Sequence, residues 1–561
     1  MMSHDSPKSP TLNTPHAASA APAGAWMPFR HAAFTVLWIA TVVSNTGTWM
    51  QNAAAGWLMT GLDPDPLIVS LVQVATALPM FLFGLVAGAL ADILDRRPLI
   101  VTVTIFLALL TSGFSLLVAL GTVTPLMLLV FTFLGGTGAA LIAPAWQAIV
   151  PQLVPRPVLQ PAIALNSVGI NISRAVGPAL AGIVIGALGL AAPFWINALS
   201  NLGVIAALVW WRPPAQASRH LPAERFAGAV VIGLRHARHN PHLTATLLRA
   251  TGFFLFASAY WALLPLVARS QVAGGPALYG VLLGAIGAGA VSGAFVLPRL
   301  KAWLGADRLV AAGTIGTALA LALFGIAREP VVALVASAVA GLSWIAVLAT
   351  LNVSAQVALP AWVRGRGLAL FVTVMFGAMS LGSVAWGQAA TVLGLPAAHI
   401  IAAAGALLAI PLLWRWKLQT GEGVDLTPSM HWPTPVLSHD IEADRGPVLT
   451  TVEYRIAVAD REAFLVDIRV LARQRLRDGA YGWNVFEDAA QDGRFVETFY
   501  SPSWLEHLRQ HERVTQADRD LQDRVNAFHK GDGRPVVTHL IVPDPSGFDG
   551  LIAARRRHGA P

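Results

Sequence analysis

The sequence predicts an all-α polytopic membrane protein of twelve transmembrane helices in two six-helix bundles, followed by a soluble α+β domain. Three observations carry this. The 561 residues are 55% hydrophobic and 12% charged, with mean hydropathy +0.60, whereas soluble domains carry about a quarter charged residues. Only seven acids, Asp63, Asp65, Asp92, Asp95, Glu224, Asp307 and Glu329, lie between His31 and Lys417, while 22 follow Lys417. Apolar runs of about 20 residues, enough to cross about 30 Å of hydrocarbon, recur before that boundary.

Residues 1–29 are expected to be a disordered cytoplasmic tail, since their Ser, Pro, Ala and Thr lack the basic start and apolar run of a secretory signal. The first bundle, 30–211, holds runs near 32–59, 67–90, 98–120, 125–149, 160–188 and 192–211. Residues 212–242 form a cytoplasmic linker whose stretch AERFAGAVVIGLRHARHN has the spacing of an interfacial helix. The second bundle, 243–417, holds runs near 243–267, 278–297, 308–327, 331–358, 366–391 and 395–416. Residues 418–446 read as a linker, 447–545 as the soluble domain and 546–561 as a basic tail.

Arg30, Arg96, Arg97, Arg156, Arg212, Arg299, Lys301, Arg364, Arg366, Arg415 and Lys417 fall on one side of this count, with Arg269 and Arg328 opposite. The positive-inside rule then puts both termini in the cytoplasm of a multi-pass protein of the cell membrane. It also accounts for the net charge of +8 without nucleic acid. With no cysteine there is no disulfide, thiolate metal site or cysteine nucleophile.

The halves repeat. Gln147-x-x-x-Pro151, Arg156 and Ala162-Ile-Ala-Leu165 are echoed by Gln356-x-x-x-Pro360, Arg364 and Gly367-Leu-Ala-Leu370. A substrate site is therefore expected at the midplane between them. After the second run, GALADILDRR places Gly88, Asp92, Arg96 and Arg97 at a cytoplasmic turn, where an acid can face a helix N-terminus. The matching stretch after the eighth run keeps Gly293, Arg299 and Lys301 but has Leu297 where the acid would fall.

In the fifth run, RAVGPALAG supplies Gly177, Pro178 and Gly182, small residues for close helix approach and a proline that frees a carbonyl. Arg174 lies midway along the same run, where a charge is costly unless it meets water or a partner. No carboxylate lies in any run, so Arg174 is expected to face a cavity and to favour an anionic or hydrogen-bond-accepting substrate. Arg249, near the start of the seventh run, is expected to snorkel. Other cavity candidates are Asn45, Trp49, Gln51, Asn52, Gln73, Asn166, Asn171, Asn352 and Gln356, although such a residue taken singly more often bonds between helices than contacts a ligand.

The Gly-x-x-x-Asp-x-x-x-Arg-Arg loop resembles that of the major facilitator superfamily. With the opening FRHAAFTVLWIATVVSNTGTWMQNAAAGWLM and the WVRGRGLAL entry to the eleventh run, it resembles the branch of enterobactin exporters, macrolide efflux permeases and transmembrane secretion effectors. That resemblance implies export by alternating access, with Gly88, Asp92, Arg96 and Arg97 latching the cytoplasmic gate against Arg364 and Arg366. Gly177-Pro178 resembles the motif of its antiporter and exporter members. The resemblance also implies proton coupling, but Thr48 follows Ser44-Asn-Thr-Gly47 where the branch carries an acid.

The soluble domain reads as strand, helix, two strands, helix and strand, the ferredoxin-like order. It resembles dimeric α/β-barrel domains related to antibiotic-biosynthesis monooxygenases, which implies a homodimer. His507 and His511 are one helical turn apart and could hold a metal, and Trp483, Asn484 and Trp504 could line a pocket. With no third ligand evident, the histidines are read as a solvated face; no metal, no cofactor and no enzymatic activity is expected. The functional reading is a secondary exporter of a small siderophore-like or drug-like molecule. Its competitors are an importer of a small anionic solute and a membrane-tethered enzyme or sensor.

Overall fold

The computed structural model describes residues 24–212, 235, 237–360, 362–420, 425–429, 431–432, 441–442 and 445–542. Most of the stretch expected to form an interfacial helix lies outside them, and the basic tail does so entirely. The side chain of Asp92 also lies outside them.

The first half contains α1 (Ala32–Leu62), α2 (Pro66–Ile93), α3 (Arg96–Leu120), α4 (Pro125–Ile149), α5 (Leu159–Leu188) and α6 (Ala192–Trp210). The second contains α7 (Pro241–Leu266), α8 (Pro276–Ile326), α9 (Pro330–Val357), α10 (Arg364–Leu393) and α11 (Leu395–Leu413). Proline opens α2, α4, α7, α8 and α9, where its missing N–H costs nothing. Asp65 caps α2 by accepting from Leu67 N at 2.7 Å, and Asn240 caps α7 by accepting from the amides of His242 and Leu243.

Where twelve spans were expected, ten helices among the described residues are long and apolar enough to cross a membrane. Two particulars make the difference. α1 is not among the ten, and its middle carries Ser44, Asn45, Thr46, Thr48, Gln51 and Asn52. The eighth and ninth runs are joined in the 51-residue α8, interrupted by non-helical backbone at Gly305 (φ 72°, ψ 172°).

α1 packs on α5 and α6, while the halves meet where α2 lies on α10 and α5 on α8. Gly182 makes the second contact close: a Cβ there would stand 2.8 Å from Pro276 O and 3.1 Å from Gly280 Cα.

The tail carries a four-stranded sheet of β1 (Val448–Arg455), β2 (Tyr481–Glu487), β3 (Arg494–Ser501) and β4 (Val536–Ile541). The strand order is β2-β3-β1-β4 and every pair is antiparallel. Three helices, α12 (Arg461–Arg477), α13 (Trp504–Arg513) and α14 (Gln516–Ala527), complete it. The single second helix expected from the sequence is divided at Val514. Thr515 starts α14 with a capping box to Asp518, satisfying amides that a continuous helix would have bonded internally.

Tyr454, Phe464, Ile468, Phe495, Phe499 and Val525 fill the tail's core. Glu497 is buried at its edge, held by Arg475 at 3.3 Å, Trp483 Nε1 at 2.9 Å and Tyr454 Oη at 3.1 Å. Trp483 is therefore part of this polar cluster. The tail meets the membrane part near the start of α10: Arg513 lies 4.6 Å over the ring of Trp362, and Arg235 donates to Gly479 O at 3.1 Å.

Candidate functional site

A cavity of about 480 Å³ lies between the halves. Its polar wall comes from the first half: Asn52 on α1, Gln73 and Thr76 on α2, Asn171 and Arg174 on α5. Its apolar wall comes chiefly from the second half, including Trp261, Tyr279, Phe295, Trp344, Met375 and Phe376. Cavities of this size with a largely apolar lining and few polar groups are characteristic of small-molecule sites.

Arg174 is placed by packing on α1. Gly177, one turn further along α5, would put a Cβ 2.6 Å from Trp49 Cβ and 2.8 Å from Thr46 O, so only glycine lets α1 approach this closely. Trp49 is thereby brought beneath Arg174, whose Cζ stands 5.2 Å from the ring centroid. Arg174 Nε makes no hydrogen bond and Arg174 pairs with no carboxylate among the described residues. Trp344 Nε1 and Trp261 Nε1, from the opposite wall, are also buried donors without an acceptor among the described residues. The wall therefore offers donors and aromatic faces, and no carboxylate lines it among the described residues.

Of the sequence-derived candidates, Trp49, Asn52, Gln73, Asn171, Arg174 and Pro178 are in this wall. Asn45, Gln51, Asn166, Asn352 and Gln356 are not. Gln51 is buried and accepts from Asn197 of α6 at 2.6 Å. Asn166 accepts from Trp146 of α4, and Gln356 donates to Asn352 at 2.7 Å on the same helix. An amide pointing at a neighbouring helix and one pointing at a cavity share the same sequence signal. The apolar wall left no signal at all, because Trp261 and Phe295 sit in apolar runs like any other span residue.

The contacts between halves crowd one end. Thr391 Oγ1 donates to Asp65 at 3.0 Å, Arg269 donates to Thr60 Oγ1 at 3.0 Å and lies over Trp57, and Trp57 stacks on Tyr279. Toward the other end, three of the arginines expected to form a latch, Arg96, Arg97 and Arg364, donate to carbonyls of their own halves. Arg97 donates to Leu208 O and Val209 O at 2.8 and 2.9 Å, Arg96 to Ala91 O and Ala148 O, and Arg364 to Leu359 O. Gly88 has open space around its Cβ position. Among the described residues, the side-chain hydrogen bonds named between the halves lie at the end opposite Arg97 and Arg364, and the cavity wall reaches Val168, Phe295 and Met375 toward the Arg97 end.

Two further readings change. Arg249 does not snorkel: it is 5% exposed, ion-paired to Asp307 at 3.1 Å, and donates to Trp416 O at 2.8 Å. Asp307 also accepts from Leu418 N, so one carboxylate ties α7, α8 and the chain after α11 together. His507 and His511 are not a solvated face either. His507 is buried and stands against His539 of β4, a partner the sequence separates by 32 positions (539 − 507). Burial chiefly, helped by neighbouring imidazoles, pushes His507 down to about 3 and His511 down to about 4, so both rings are neutral near pH 7.

Helices spanning a membrane in two packed halves around a central cavity define a polytopic protein of the major facilitator fold. The fold is shared with a bacterial homologue of the human lysosomal transporter Spinster, solved inward-facing and occupied, at TM-score 0.55 and 14% identity over 70% of this chain and 98% of that one. The chain belongs to the transmembrane secretion effector family of that superfamily, whose pattern matches residues 23–546. It is 26% identical over 275 residues to the staphyloferrin A transporter of Staphylococcus aureus, covering 46% of this chain and 65% of that one. It is 24% identical over 387 residues to the multidrug efflux pump Tap of Mycolicibacterium fortuitum, covering 67% and 91%. With the enterobactin exporter EntS of Shigella boydii it shares 25% over 322 residues, covering 57% and 76%. The match spans under two thirds of the staphyloferrin A transporter and 50% of a Bacillus subtilis MFS-type transporter, YfiS. Family and neighbours are transporters rather than enzymes.

Proposed function

We propose that this protein is a secondary transporter that exports a small amphipathic molecule, siderophore-like or drug-like, by alternating access. The observation that carries the substrate class is Arg174, a cation with an unpartnered Nε in the wall of a cavity otherwise rich in aromatic side chains. Such a wall favours a substrate with an aromatic or aliphatic body and an anionic or hydrogen-bond-accepting end. The names of the staphyloferrin A, Tap and EntS relatives support transport and efflux of small molecules.

Twelve spans are the reading that fits a bilayer. At about 1.5 Å per residue the 51-residue α8 would be a rod of roughly 76 Å, far beyond about 30 Å of hydrocarbon. Division at Gly305 makes it two spans, and α1, at 31 residues, is long enough to be the twelfth. Both termini and the latch are then cytoplasmic, and the Arg97 end faces the cytoplasm, where an exporter loads. Asp92, Arg96, Arg97, Arg364 and Arg366 are proposed to close that end.

The tail is read as ferredoxin-like, supported by its antiparallel β2-β3-β1-β4 order, and as a dimerisation module, supported by exposed Phe486, Val536 and Leu540. Proton coupling is a family-level proposal whose carrier is not a carboxylate of the described cavity wall. The test is energy-dependent accumulation of aromatic anions in inverted vesicles, where Arg174→Ala is expected to lower uptake at least tenfold and Arg174→Lys to restore part of it. Unchanged uptake by both variants would exclude Arg174 from substrate recognition.

A further inference from the structure

We infer that His507, His511 and His539 in the tail form a binding site for a divalent transition-metal ion of the zinc class. His507 and His511 are one turn apart on α13, and His539 comes from β4, at the position paired with Thr450 of β1. One nitrogen from each ring lies within 4.8 Å of the other two. Nε2 of His507 and Nε2 of His511 are 3.3 Å apart. Two nitrogens on a tetrahedral zinc ion, each bonded at about 2.0–2.1 Å, are separated by about 3.3–3.4 Å. The pair therefore already stands at the spacing an ion requires.

The two Nε2 atoms share an N–H···N hydrogen bond, which an ion between them would replace. His507 is 1% exposed, and its Nδ1 has no partner among the described residues. None of the three imidazoles bonds to a carbonyl or a carboxylate among the described residues, so no such contact competes with an ion for their ring nitrogens. Trp504 lies 5.3 Å from His507, and Trp432 lies 4.9 Å from His511, giving the rings an apolar fence that fixes their orientation. The neighbouring cation, Arg475, is held by Glu497 at 3.3 Å and by Gln522, so its charge is largely offset. His431, the fourth nearby imidazole, is engaged with Ser429 Oγ at 2.6 Å.

Three imidazoles with no carboxylate and no thiolate suit Zn²⁺, Co²⁺, Ni²⁺ or Cu²⁺ and discriminate against Mg²⁺ and Ca²⁺, which require oxygen ligands. Three protein ligands leave a fourth position for water or an exogenous donor, the arrangement of an open site rather than a closed structural one.

The probe is Co²⁺, added to tag-free, full-length protein in detergent after removal of metal by a chelator. The expected result is a visible absorption band of tetrahedral type that saturates at one equivalent, is abolished by excess Zn²⁺ and is unaltered in His31→Gln. His511→Gln and His539→Gln are each expected to bind Co²⁺ at least tenfold more weakly. Because either variant could misfold, a second measurement uses the wild type alone: Zn²⁺, but not Mg²⁺, should raise its melting temperature. Absence of both the band and the Zn²⁺ shift in the wild type overturns the proposal. So does Co²⁺ binding that is unchanged in the two glutamine variants.

Discussion

At the residue scale, charges in the apolar part are separated by what they touch. Arg249 is a structural cation: removing Asp307 leaves a guanidinium buried without its partner, and the penalty for breaking a buried pair is roughly 3–5 kcal/mol. Asp307 is 26% exposed, so Asp307→Ala is expected near the lower end, about 3 kcal/mol, read as a fall in detergent melting temperature. Arg249→Ala with Asp307→Ala should cost less than the sum of the two. Additive losses would show that the pair is not coupled. Arg174 is the opposite case, a cation with no carboxylate partner among the described residues and an Nε left over for a ligand. The sequence set Arg174, midway along its run, apart from Arg249, near the start of its own, but it could not show the ion pair, because Asp307 lies 58 positions from Arg249 (307 − 249) and outside every apolar run.

At the element scale, helix approach sets the site. Gly177→Leu is expected to drive α1 and α5 apart, since even a Cβ meets Trp49 and Thr46 at under 3 Å. Overpacking of this kind costs about 1–3 kcal/mol, and Trp49 would lose its place beneath Arg174. The measurements are melting temperature and substrate-dependent quenching of tryptophan fluorescence, both expected to fall. In the tail, Thr515→Ala removes the capping box that opens α14 and should destabilise the domain by about 1 kcal/mol, with no change in transport. Strand alternation and helical period made the elements of the tail legible. The break at Val514 was hidden because Thr515 and Asp518 sit in a continuous helical pattern, and the histidine trio was hidden because its third member is on a different element.

At the scale of the whole molecule, alternating access requires the end that carries the hydrogen bonds between the halves to part. The chain has no cysteine, so a pair can be introduced without removing any. Asp65→Cys with Thr391→Cys, replacing side chains that bond at 3.0 Å between α2 and α10, is expected to cross-link on oxidation and arrest turnover, with full recovery on reduction. Undiminished transport by the cross-linked protein would mean that this end does not open. The repeat of Gln147, Pro151 and Arg156 in Gln356, Pro360 and Arg364 made two halves and a midplane site readable from the sequence. Which end carries the hydrogen bonds between the halves depends on packing between distant helices and was not readable. The most direct test of the account is accumulation of an aromatic anion in energised inverted membrane vesicles containing wild type or Arg174→Ala. The account predicts accumulation by the wild type and at least a tenfold loss in the variant. Accumulation only in right-side-out vesicles, or equal accumulation by the two proteins, would contradict it.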